Sequence, residues 1–170
     1  MKNQLKYLLS GFIIASVILL SSCGGDDAGP AYNFIDQNLQ GTIDGQNFVY
    51  GEGIVEASSF NEGKFSLDLY DEQEEITDIC DFFGFGDHVS IFFEIPDEIG
   101  LYELFLNLES FEGQTVTLFN PDGSQNNIAT MGAVEILSIS ATQVKGRMDA
   151  RMDEANSVNG NFTVQFCPEN

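Results

Sequence analysis

Arg147-Met148-Asp149-Ala150-Arg151-Met152-Asp153 alternates without a slip. Met148, Ala150 and Met152 fall on one side, and Arg147, Asp149, Arg151 and Asp153 on the other. Successive side chains of a strand point to opposite faces, so these residues predict a strand with one apolar face and one charged, wet face. Asn159-Gly160 then reads as a tight turn, because glycine tolerates positive φ. Residues 161–167 follow as the next strand, with Phe162, Val164 and Phe166 alternating with Thr163 and Gln165.

The same period of two recurs toward the N-terminus. Residues 65–70 set Phe65, Leu67 and Leu69 against Ser66, Asp68 and Tyr70, the pattern of a half-buried strand. Residues 89–95 turn Val89, Ile91, Phe93 and Ile95 inward, and Pro96 ends them. Asp44-Gly45 separates residues 41–43 from residues 47–50 and predicts a hairpin, with residues 53–57 continuing the sheet. Residues 100–106 and 114–119 are further strands, and Asn120-Pro121-Asp122-Gly123 is a turn. Residues 129–140 make a long strand with a bulge or bend expected near Gly132. Residues 143–146 read as a turn, and residues 76–83 as either a short strand or a helical turn.

After the first two dozen residues no apolar stripe of helical period appears. The expected fold is all-β: an antiparallel β-sandwich or a small β-barrel of about eight to ten strands. The 15 phenylalanines, 17 glycines and only 4 prolines suit strands joined by tight turns. One β-rich domain is expected over residues 36–170, with no internal repeat or dividing linker.

The N-terminus carries different information. Lys2 and Lys6 form a short basic region, and residues 7–20 are an apolar run broken only by Ser10, Gly11 and Ser16. As a helix this run spans about 21 Å, short of the roughly 30 Å of a bilayer core. It therefore reads as the apolar region of a signal peptide covering residues 1–22. Leu20-Ser21-Ser22-Cys23 follows: a branched apolar residue, two small residues and a cysteine. This resembles the lipobox of bacterial lipoproteins. The resemblance implies cleavage between Ser22 and Cys23, a diacylglycerol on the Cys23 sulfur and acylation of its amine. Two or three acyl chains hold a protein on a membrane where one is marginal. Residues 23–35 would be the lipidated cysteine and a tether, rich in glycine and aspartate from Gly24 to about Ala31.

Gly24-Gly25-Asp26-Asp27 after the cysteine looks like the export signals of surface lipoproteins in the Bacteroidota. The signal for inner-membrane retention, an aspartate directly after the cysteine, is replaced here by Gly24. The expected location is the outer membrane, with surface exposure. The leader, the Asp44-Gly45 hairpin and the final Asn159, Gly160, Phe162 and Val164 also resemble small Bacteroidota (Flavobacteria-like) lipoproteins of unknown function. That likeness implies a β-rich domain and no catalytic residue.

Removing residues 1–22 from the 170 leaves 148, the usual size of one domain. The formal net charge of −21 becomes −23, because the leader carries off two of the six basic residues and none of the 27 acidic ones. Such a surface repels nucleic acid and anionic lipid, so attachment to a membrane must come from the acyl chains.

Cys80 and Cys167 remain after Cys23, and in an oxidising compartment the pair can form a disulfide. His88 is the single histidine, with no serine that sequence places beside it and no catalytic motif around it. Two oxygen-rich stretches are weak calcium candidates: Asp71, Glu72, Glu74 and Glu75, and Asn120, Asp122, Ser124 and Asn126. Neither has the spacing of an EF-hand, and no other cofactor is indicated. Phe82, Phe83 and Phe85 stand among Gly84 and Gly86, and read either as a ligand-facing loop or as a plug at the end of the core. The preferred reading is a non-enzymatic binding or accessory protein of the envelope, with a glycan, a peptide or an envelope protein as partner. The alternatives are a carboxylate-dependent hydrolase on a β-scaffold and a structural assembly subunit.

Overall fold

The computed structural model describes residues 32–73, 76, 78–82, 87–110, 112–123 and 125–167. Among the described residues there are twelve strands: β1 Gln40–Ile43, β2 Gln46–Ala57, β3 Lys64–Asp71, β4 Ser90–Pro96, β5 Gly100–Glu103, β6 Phe105–Asn107, β7 Glu112–Gln114, β8 Val116–Asn120, β9 Gln125–Ala129, β10 Met131–Ile139, β11 Gln143–Asp153 and β12 Asn156–Phe166. Ten of them form one sheet in the order β5-β10-β11-β12-β1-β2-β3-β4-β8-β9, while β6 and β7 make a separate hairpin. The sheet folds over so that β9 meets β11 and β12, giving the sandwich-like, antiparallel arrangement that the alternation predicts. The rings of Phe93 and Phe162, from the two layers, meet edge to face at 6.1 Å across the core.

The core is built from the alternate positions. Leu67 and Leu69 of β3, Ile91 and Ile95 of β4, Met148 of β11 and Val164 of β12 are fully buried. The β1–β2 hairpin turns on Asp44 and Gly45, both at positive φ (51° and 73°), as a two-residue turn between right-twisted strands requires. Each ladder between neighbours in the sheet order is antiparallel. Because β1 is only 4 residues long, β12 reaches past it and meets β2 in a short parallel contact, Gln165 with Ile54 and Phe166 with Val55.

Several local expectations are corrected. Asn159-Gly160 is not a turn: both residues lie inside β12, opposite Asp149 and Met148 of β11. The chain reverses instead at Glu154-Ala155. Gly160 is needed for a close approach, since a Cβ there would sit 2.6 Å from the Asn38 carbonyl oxygen and 2.7 Å from Leu39 Cα. Residues 143–146 are likewise strand, and Gly146 leaves room for the Phe162 ring. Residues 129–140 divide at Thr130 into β9 and β10, and the bulge falls between Ile136 and Ser138. Residues 100–106 divide at the buried Leu104, whose N–H bonds the Gly132 carbonyl.

The outer face of β11 is not uniformly wet. Asp149 is 4% exposed. Its Oδ2 accepts the Asn33 N–H at 2.8 Å, its Oδ1 pairs with Arg151 Nε at 3.0 Å, and the Phe34 ring lies 4.5 Å from the Arg147 guanidinium. The segment that leads into β1 covers this face. Asn159 receives it, accepting the Ile35 N–H at Oδ1 and donating from Nδ2 to the Asn33 carbonyl.

Candidate functional site

The outer face of the other layer carries an open groove of about 500 Å³. Strand register builds its floor. With Leu67, Leu69 and Ile91 committed to the core, Ser66 and Asp68 of β3 face outward, opposite Glu94 and Phe92 of β4. Phe92 in turn lies opposite Thr117 of β8. Asp68, Phe92 and Thr117 thus form one row across three strands, spaced by the usual inter-strand distance of about 4.8 Å. The loop between β2 and β3 makes one rim, and Gly113 and Gln114 of β7 make the other.

Glu94 fixes both rims. Its Oε1 accepts the Ser58 hydroxyl, its Oε2 accepts Asn61 Nδ2, and its backbone carbonyl accepts Gln114 Nε2 at 2.6 Å. Ser58 Oγ also accepts the N–H groups of Phe60 and Asn61 at 3.1 and 3.0 Å, and the Ser58 N–H closes the loop onto the Lys64 carbonyl. This bonded loop holds Phe60 out in solvent, 90% exposed. Burying such a ring stabilises a fold by about 2 kcal/mol, and the hydrogen bonds keep Phe60 from that outcome.

The groove is mixed in charge. Lys64 lines it beside Asp68 and Glu94. Burial, and then the neighbouring Glu56, push the Asp68 carboxyl up to about 6. Burial, with Asp68 and Glu56 behind it, raises the Tyr70 hydroxyl to about 12.

A second cavity, of about 590 Å³, lies beyond the N-terminal end of β1, between residues 51–53 of β2 and residues 162–165 of β12. The Tyr50 hydroxyl donates across it to the Thr163 carbonyl, and burial raises the Tyr50 pKa. Ile79, buried and lying outside the main core, forms part of its wall.

Ile79 belongs to a segment held by the Cys80–Cys167 disulfide, which links residues 87 apart with Cα atoms at 5.3 Å. Phe82 packs edge-on against Tyr70 at 5.0 Å, covering its outward side, and meets the His88 ring at a tilt at 4.7 Å. Phe83 and Phe85 lie outside the described residues, as do Ser22, Cys23, Glu74, Glu75 and Ser124. Two of the calcium candidates, Asp71 and Asn120, have side-chain oxygens engaged by the protein itself. Asp71 accepts the Val49 N–H at Oδ2 and the Gln73 N–H at Oδ1, and Asn120 Oδ1 accepts the Asp122 N–H. Glu72 and Asn126 are exposed. Among the described residues no three of His, Cys, Asp or Glu come together as a metal site.

The groove residues drew no attention in the sequence, yet two signals were present. Phe92, like Tyr70, is an aromatic on the polar side of an alternating strand, and Phe60 stands alone in the polar run Ser58-Ser59-Phe60-Asn61-Glu62-Gly63. Comparisons with protein-family models, curated proteins and solved structures find no match to this chain.

Proposed function

We propose that the protein is a lipid-anchored binding protein of the cell envelope, held at the outer membrane by acyl chains on Cys23 and acting by binding rather than turnover. The observation that carries the binding role is the groove across β3, β4 and β8, with Phe60 held in solvent by the hydrogen bonds around Glu94. Phe60 stands at the rim of a concavity that also presents Phe92, Glu94, Gln114 and Thr117, a set of aromatic and polar side chains suited to holding a ligand. The anchor is carried by Leu20-Ser21-Ser22-Cys23 after an apolar leader. Native protein from cells should show the mass of a diacylglycerol on Cys23, and Cys23→Ala should move it from the membrane to the soluble fraction. Protein without the lipid mass, or a Cys23→Ala variant that stays on the membrane, would sink the anchor.

One observation favours a second reading, a carboxylate-dependent hydrolase. Asp68 exchanges its proton near pH 6 and shares the groove with Glu94. Such a group can serve as a general acid at neutral pH.

A further inference from the structure

We infer that the groove across β3, β4 and β8 takes a neutral glycan chain, with a sugar ring laid on Phe60 and its hydroxyls received by Asp68, Gln114 and Thr117. This rests on the reading of the groove as a binding site and names the chemistry of its ligand.

The floor excludes one obvious competitor. An extended peptide commonly binds by adding a strand to a sheet edge, where backbone N–H and C=O groups are unpaired. β3 is paired on both sides, with β2 and β4, and β4 is paired with β3 along its length and with β8 from Ser90 to Phe92, beyond which the Glu94 carbonyl accepts Gln114 Nε2. Most of the floor's backbone is therefore engaged, and a ligand meets side chains: a carboxylate, an amide, hydroxyls and aromatic rings. A sugar is suited to that set. Its hydroxyls donate to a carboxylate and accept from an amide, and the C–H groups on one face of the ring are attracted to the negative face of an aromatic.

Charge narrows the class. Asp68 and Glu94 line the groove with Glu56 close by, opposed by Lys64, on a chain of net charge −21. A uronate, sulfate or phosphate on the ligand would be repelled. A hydroxyl donating to Asp68 would instead replace hydration that burial has taken away. The rim is already in place. Phe60 sits on a loop fixed by Ser58, Asn61 and Glu94, so little ordering is needed on binding.

The full chain, purified in a detergent without a sugar headgroup, is titrated by calorimetry with neutral cellohexaose, maltohexaose, mannohexaose and xylohexaose. One of them should saturate with a Kd of about 1 mM or tighter, and Phe60→Ala should weaken it about tenfold. Leu108→Ala, an exposed apolar side chain outside the groove, should leave it unchanged. Phe60 is 90% exposed, so its loss should not unfold the protein, and an unaltered melting temperature checks this. Saturable sugar binding indifferent to Phe60→Ala overturns the inference. If no sugar binds and a random peptide library displayed on phage enriches sequences whose capture depends on Phe60, the glycan is wrong and the binding reading stands. If neither binds, both fall.

Discussion

The two outer faces of the sandwich begin alike and end differently. In β11 and in β3 the outward positions include an aspartate, Asp149 in one and Asp68 in the other. Asp149 is covered by the protein's own N-terminal segment and meets the Asn33 N–H and the Arg151 guanidinium. Asp68 has Phe92 and Thr117 beside it in an open groove, and the charge that acts on it most is another acid, Glu56. A strand's alternation says which residues point outward. What the chain then lays over that face decides whether a carboxylate is part of the fold or is offered to a partner.

The disulfide sharpens the contrast most. It holds the segment of residues 78–82 that covers Tyr70 on the open side. Replacing both Cys80 and Cys167 by serine should cost about 4 kcal/mol in denaturant unfolding, the size expected for a loop this long, and should expose Tyr70 to solvent. A change below about 1 kcal/mol would mean that Phe82 and Ile79 hold the segment unaided.

The covered face is tested next. Asp149→Ala leaves the Asn33 N–H and the Arg151 guanidinium without this acceptor, inside a face sealed by residues 32–38. It should cost about 2–3 kcal/mol, read as a lower denaturant midpoint. Faster proteolysis near residue 33 would confirm that the segment has lifted. A midpoint equal to the parent's would show that Asn159 alone seats it, through its bonds to Asn33 and Ile35.

The sheet was legible in the sequence because burial on one face imposes a period of two, and β3, β4 and β11 keep that period. The Asp44-Gly45 turn was legible because its backbone needs positive φ. Asn159-Gly160 looked the same and was not a turn. Its glycine answers to the backbone of Asn38 and Leu39, and its asparagine to residues 33 and 35, contacts more than a hundred residues away in the chain. Local pattern carries no trace of such partners. The groove was hidden for the same reason: Phe60, Glu94 and Gln114 come from separate elements and meet only after the sheet has formed. The disulfide was legible from cysteine parity alone, whereas the role of Phe82 required knowing that Tyr70 lies beneath it.

The smallest expected effect is of opposite sign to the one at Asp149. Asp68 has an ordinary carboxyl pKa of 3.8 unfolded and about 6 folded, raised by burial and then by Glu56. Lys64 of β3 and Glu94 of β4 share the groove with it, and β8 presents the uncharged Thr117. Between those two values the folded state binds the extra proton. Stability from this group is therefore full below its unfolded pKa and is lost as pH rises through the folded one. Asparagine never ionises, so Asp68→Asn should match the parent near pH 4 and exceed it near pH 8. The full shift corresponds to about 3 kcal/mol, and access of water to the groove reduces the expected gain to about 1–2 kcal/mol. Denaturant unfolding of the two proteins across this range reads the difference directly. No gain at pH 8 would mean that water already solvates Asp68 fully. Two outward aspartates on matching strands should then differ in sign: removing the covered one weakens the fold, and neutralising the open one strengthens it.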